Sequence, residues 1–123
     1  MRKERRLTRQ ADFAMVRREG RSWADLLLVL LARRNSLDVT RFGFSVGKRT
    51  GNAVVRNRTK RRLREVVHGL PVQEGWDLVL IARKGAASVD YHGLSRSSTA
   101  LLKRAGILAV RRWSDARSSD TKK

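Results

Sequence analysis

RFGFSVGKRTGNAVVRNRTKRRLRE, residues 41–65, carries two different periods back to back. Phe42, Phe44 and Val46 alternate with Gly43, Ser45 and Gly47, the period-two pattern of a strand with one apolar face. From about residue 53 the period becomes helical. At 100° per residue Val55, Thr59, Leu63, Val66, Val67 and Leu70 fall in one arc roughly a third of a turn wide. Asn52 stands where an N-cap belongs, and Gly69 and Pro71 stop the helix after His68. A strand that runs through a loop carrying Lys48 and Arg49 into a long helix is the centre of a mixed α+β domain.

Outward from this centre the pattern continues. Upstream, residues 8–19 read as a first helix, with Thr8 as N-cap and Gly20 at the C-terminal left-handed position. Ala11, Met15 and Val16, with Phe13 nearby, give it a short apolar face. Residues 22–32 are a strand candidate rich in Leu and Val, whose continuous apolar stretch does not by itself distinguish a strand from a buried helix. Asn35, Ser36 and Asp38 supply turn chemistry before the strand at 40–46, and the two strands are expected to pair as a hairpin. Downstream, 76–83 reads as another strand, and 90–105 as a third helix that Gly93 weakens. Residues 107–113 allow a last helical turn. The expected organisation is a basic arm over 1–7, one domain over 8–113 and a polar tail over 114–123 that frays.

Charge points to the partner. The 123 residues hold 29 Lys and Arg against 11 Asp and Glu, a net charge of +18. A compact chain so charged repels itself, and a polyanion relieves that repulsion. Nucleic acid is the commonest such partner. There is no cysteine, which excludes disulfides and Cys-ligated zinc. No apolar signal core follows the charged residues 1–6. The longest apolar run, 26–32, is far short of the ~20 residues of a membrane span. A cytoplasmic protein without a membrane partner is expected.

The cations are not spread evenly. Lys48, Arg49, Arg56, Arg58, Lys60, Arg61, Arg62 and Arg64 lie in one stretch, and no acid occurs between Asp38 and Glu65. On the helix, Asn57, Lys60, Arg61 and Arg64 cluster opposite the apolar stripe, with Arg56, Arg58 and Arg62 at its edges. Solvated helix faces usually mix signs. Guanidinium forks match phosphate oxygens, and a helix N-terminus adds free N–H groups. RNA is favoured over DNA, because no helix-turn-helix, zinc-finger or zipper pattern is present.

The same residues resemble a known family. Residues 41–49, followed by GNAVVRNRTKRRLRE at 51–65, are similar to the signature of the bacterial ribonuclease P protein component, with Arg56-Asn57-Arg58 as its central motif. Arg6-Leu7, Asp12-Phe13 and the stretch 76–85 extend the resemblance to about residues 5–105. It implies the order α-β-β-β-α-β-α with a left-handed β-α-β crossover, a hand that runs against the general rule. It also implies a protein subunit of an endoribonuclease that removes the 5′ leader of precursor tRNA. Catalysis and Mg²⁺ would belong to the RNA subunit, with no catalytic or metal residue on the protein. The resemblance assigns contacts with that RNA to Lys48, Arg49, Asn52, Arg56, Asn57, Arg58, Lys60, Arg61 and Arg64. It assigns a leader cleft to Phe13, Arg17, Leu31, Phe44, Arg83 and Lys84, and a 1:1 complex of one protein with one RNA.

Two positions depart from the family pattern. A second aromatic often follows one turn after Phe13, where this chain has Arg17, and a strand aromatic of the cleft is here Leu31. The grip on the leader is therefore expected to rest more on charge than on stacking. Composition alone leaves a structural ribosomal-type RNA-binding protein as the alternative. A protein-only nuclease is disfavoured, because Asp12, Glu19, Asp25 and Asp38 form no carboxylate pair at helical spacing and His68 and His92 have no partner in sequence.

Overall fold

The computed structural model describes residues 5–109. The elements follow the order α1 (Gln10–Glu19), β1 (Arg21–Ala24), β2 (Leu28–Arg34), β3 (Arg41–Val46), α2 (Ala53–His68), β4 (Trp76–Ala82) and α3 (Tyr91–Ala105). Short 3-10 turns at Lys48–Thr50 and Lys84–Ser88 precede α2 and α3. This is the α-β-β-β-α-β-α order that the resemblance implies. The four strands form one sheet in the order β1-β2-β4-β3. β4 is antiparallel to β2 and parallel to β3, so α2 is the crossover of a β-α-β unit.

Several local expectations are corrected. Residues 22–32 are two strands of a hairpin, because Asp25 Oδ1 accepts the N–H groups of Leu27 and Leu28 at 2.9 Å and folds the turn. The strand at 40–46 does not pair with that hairpin; β4 lies between them. Leu78, Val79 and Leu80 explain why. They are buried whichever face they point to, and such a continuous apolar strand belongs in the centre of a sheet. The α1 helix starts at Gln10 with Arg9 as an N-cap that makes no side-chain bond, so Thr8 is not the cap. Gly20 is extended rather than left-handed (φ −82°, ψ 166°). It is glycine for lack of space: a Cβ there would sit 2.4 Å from the Val16 carbonyl oxygen. Leu108 bridges Val72 rather than continuing a helix. Residues 110–113 and the tail lie outside the described residues, as do residues 1–4 of the arm. The end of the arm is structural. Leu7 is buried, and its N–H donates to the Phe42 carbonyl at 2.8 Å.

Both faces of the sheet are used. On one face Leu28, Leu30, Phe42, Leu78 and Leu80 pack with Leu63, Val66 and Val67 of α2 and Leu94, Leu101 and Leu102 of α3. The apolar stripe read from α2 is thus the core-facing one. On the other face Leu7, Val16 and Val79 are buried, with Phe13, Leu31 and Ile81 packed against them. Gly43 lets α1 approach, since a Cβ there would be 2.6 Å from the Phe13 ring.

An ion pair between a half-buried arginine and a buried aspartate fixes where β3 lies on β4. Arg41 and Asp77 are register partners, and the guanidinium donates to both carboxylate oxygens at 2.8 and 2.7 Å. Asn35 Nδ2 adds a bond to Asp77 Oδ1 at 2.9 Å, and Asp12 of α1 lies 3.9 Å from Arg41. The hydrogen bond to Asp77 raises the Arg41 pKa. Replacing Asp77 by Ala should lower unfolding free energy by about 1–3 kcal/mol, because the half-buried Arg41 and Asn35 lose their acceptor while Asp12 and solvent still reach the guanidinium; urea unfolding measures it.

The Asp25 turn has a second anchor in α3. The Ser97 hydroxyl donates to Asp25 Oδ2, and Arg104 donates to the Ala24 carbonyl at 3.1 Å. Burial opposes ionisation of Asp25, but the bonds from Ser97, Leu28 and Leu27 and the Arg104 charge outweigh it, leaving its pKa below the usual 3.8. A carboxyl depressed in the fold contributes stability above its unfolded pKa and loses it as pH falls through the folded value. Asp25→Asn should therefore flatten the loss of stability below about pH 4, read as melting temperature against pH.

Candidate RNA interface

The entry to α2 is built by Gly51 and Asn52. Asn52 Oδ1 accepts the Val55 N–H at 3.0 Å, so the expected N-cap forms. Gly51 holds φ 153°, and a Cβ there would lie 2.8 Å from a Val55 methyl. Only glycine fits this step from the 3-10 turn at Lys48–Thr50 into the helix. The turn packs against α2 and against the second 3-10 turn at Lys84–Ser88. Lys48, Arg49 and the start of the helix thus share one end of the domain.

Burial divides α2 as the projection does. Thr59, Leu63, Val66 and Val67 are buried, whereas Lys48, Arg49, Asn57 and Arg61 are exposed. Arg56, Arg58, Lys60 and Arg64 are half-buried. The Nε atoms of Arg56, Arg58 and Arg64 are screened from solvent without a hydrogen-bond partner among the described residues. Each of these arginines is only half-buried, so its guanidinium remains open to a phosphate. Arg62 is the exception on this helix, donating to the Val89 carbonyl at 3.2 Å. The acids that form ion pairs among the described residues serve cations elsewhere, in Arg5–Glu74, Arg33–Glu19 and Arg41–Asp77.

A second feature lies against the edge of β3. Thr8, Gln10, Phe13, Ala14, Arg17, Phe44 and Ser45 line a groove of about 430 Å³. A neighbouring hollow of about 240 Å³ shares Thr8, Phe13 and Phe44 with it and is also lined by Lys60 and Arg64. The cationic helix and the α1 groove are therefore continuous around the β3 edge. Sequence reasoning treated them as separate, because no period links residue 13 to residue 60.

Three of the expected cleft residues are not among those that line the groove. Leu31 packs with Phe13 and Ile81 against the small core cluster under α1 and does not line it. Arg83 follows β4 and donates to the Asp25 carbonyl at 2.9 Å, which ties it to the hairpin turn. Lys84 opens the 3-10 turn that packs against Lys48–Thr50, nearer the α2 entry than Phe13. Among the described residues no three His, Asp or Glu side chains gather as a metal site. No described helix is long and apolar enough to cross a membrane.

Comparison with known proteins bears on the family and the fold. The family model described as Ribonuclease P matches residues 1–106. The chain belongs to the ribonuclease P protein family. The ribonuclease P protein component of Natranaerobius thermophilus is 43% identical over 104 residues, 83% of this chain and 90% of that protein. That of Streptococcus pyogenes is 40% identical over 109 residues, covering 88% and 92%. The ribonuclease P protein structure from Staphylococcus aureus superimposes with a TM-score of 0.77 at 33% identity, over 85% of this chain and 98% of that one. The Thermotoga maritima structure gives 0.73 at 34% identity, over 80% and 96%. The chain is thus the protein subunit of an endoribonuclease that matures the 5′ ends of tRNA, and its partner is the ribonuclease P RNA. Membership of the family, rather than charge, separates it from the ribosomal alternative.

The unpaired cations predict a clean separation of binding from folding. Arg61→Ala should lower the slope of log affinity against log salt by about 1 on ribonuclease P RNA. The same substitution should move the stability of the free protein by no more than about 0.5 kcal/mol. Filter binding across a salt series and urea unfolding give the two readings.

Proposed function

We propose that the α2 face and the adjoining turn dock the ribonuclease P RNA, while the groove beside Phe13 takes the 5′ leader of precursor tRNA. The docking contacts are Lys48, Arg49, Asn57, Arg58, Lys60, Arg61 and Arg64, with Arg56 at one edge. Asn52 contributes through its amide nitrogen, since its oxygen holds the helix cap. The open cations on one face of α2, with no ion-pair partner among the described residues, carry this reading most directly. Nothing in the chain is asked to break a bond. The protein lowers electrostatic repulsion between two RNAs and positions the leader; Mg²⁺ and catalysis belong to the RNA subunit, and the reacting phosphodiester to the precursor tRNA.

Continuity between the two surfaces gives the mechanism its geometry. Lys60 and Arg64 reach the hollow that Phe13 and Phe44 share with the groove. A leader lying along α1 would thus meet cations held by the helix that docks the RNA. Phe13 and Phe44 offer faces for bases, and Arg17 offers a charge where a second ring would stack. One protein per RNA and a cytoplasmic setting complete the reading.

Reconstitution tests it. Added to a bacterial ribonuclease P RNA at low Mg²⁺, the protein should stimulate cleavage of precursor tRNA at the 5′ end of the mature sequence. No stimulation would overturn the reading, and cleavage by the protein alone would replace it with a protein nuclease. Leader affinity of the reconstituted complex should fall steeply with salt and drop on Arg17→Ala. A weak salt dependence with a large loss on Phe13→Ala would show that stacking dominates instead, a contribution of ~1–3 kcal/mol per base.

A further inference from the structure

Arg64, Glu65, His68 and Tyr91 line a groove of about 420 Å³ between α2 and the first turn of α3. Tyr91 is the first residue of α3, and 38% of it is exposed. Its ring stands perpendicular to that of His92, with centroids 5.5 Å apart. The backbone beneath it is held firmly. Asp90 Oδ1 accepts the Gly93 N–H at 3.0 Å and caps the helix. Gly93 sits so close to Val89 that a Cβ would come within 2.9 Å of it. Arg62 of α2 donates to the Val89 carbonyl, which ties this turn to the cationic helix. An exposed aromatic on a fixed turn is a ready stacking surface.

Glu65 is the informative neighbour. It is the one acid of α2, it is exposed, and among the described residues it makes no hydrogen bond or ion pair although arginines surround it in sequence. A free carboxylate opposes phosphate binding. It is useful on such a helix only where it meets donors. Guanine presents two donors side by side, N1–H and the N2 amino group, which match the two carboxylate oxygens. Arg64 lines the same groove and offers its guanidinium to the nucleotide's phosphate.

We propose that this groove binds one unpaired guanine of the ribonuclease P RNA, with its ring on Tyr91, its Watson–Crick edge on Glu65 and its phosphate on Arg64. The site rests on the reading that α2 docks this RNA, and it adds a base-specific contact to a surface otherwise made of phosphate contacts.

Affinity of the full chain for a bacterial ribonuclease P RNA, measured across a salt series, tests the site. Tyr91→Ala should weaken binding about 5- to 100-fold without changing the salt slope, and Tyr91→Phe should keep the affinity. Glu65→Gln removes a negative charge from a polyanion-binding face, so charge alone predicts tighter binding. The guanine site predicts the opposite, a loss of about 5-fold or more. Unchanged affinity in Tyr91→Ala, equal losses in Tyr91→Phe and Tyr91→Ala, or tighter binding by Glu65→Gln would each overturn the proposal. Arg61→Ala run alongside separates the failures. If it lowers the slope while Tyr91→Ala does nothing, only the guanine site fails; if it too leaves the slope unchanged, docking by α2 fails with it.

Discussion

The bidentate pair between Arg41 and Asp77 is the constraint on which the other parts depend. It joins register partners at the start of the parallel β3–β4 pairing. A slip of one residue would turn every β3 side chain to the opposite face. Phe42 would leave the core shared with α2 and α3, and Gly43 would leave its place beneath Phe13. The same arginine approaches Asp12 of α1, so one partly buried cluster relates the sheet edge to the first helix. Both functional surfaces lie at that edge. Its cost is the desolvation of a charged pair, which Asn35 offsets in part by satisfying a further lone pair of Asp77.

A chain of net charge +18 must decide where its few acids go. Here Glu19, Glu74 and Asp77 hold arginines of other elements, Asp25 and Asp90 fold turns, and among the described residues no acid forms an ion pair with the segment 48–64. The result is neutralisation where the fold needs it and excess charge where the RNA binds. Self-repulsion along α2 lowers the stability of the free protein. The buried stripe of Thr59, Leu63, Val66 and Val67 keeps the helix in place against that repulsion.

Much of this was legible in residues, and the rest was hidden for identifiable reasons. The α2 helix with its Asn52 cap, its core stripe and its cationic face follows from a period and a few local preferences, and these survive folding because they need no distant partner. Strand pairing does not have that property. The Leu-rich segment 22–32 conceals a turn made by one carboxylate, and the position of β4 between β2 and β3 depends on burial of both its faces. The crossover and its left hand came with the family resemblance, not with any periodicity. Of the site residues, those on α2 are read from the helix itself. Leu31, Arg83 and Lys84 were grouped with Phe13 by resemblance; Leu31 shares the small cluster under α1 with Phe13, whereas Arg83 and Lys84 have neighbours at the hairpin turn and the α2 entry.

The central claim is that the α2 end of the domain faces the ribonuclease P RNA. The chain has no cysteine, so one introduced thiol carries a unique probe. Val54 and Leu37, 72% and 48% exposed, lie beside the α2 entry and in the β2–β3 turn, and neither belongs to the proposed contacts. Hydroxyl radicals released from a chelated iron at Val54→Cys should cut the RNA of the assembled complex at a few clustered positions, and those from Leu37→Cys should cut it weakly or not at all. Strong, localised cutting from position 37 with none from position 54 would contradict the account.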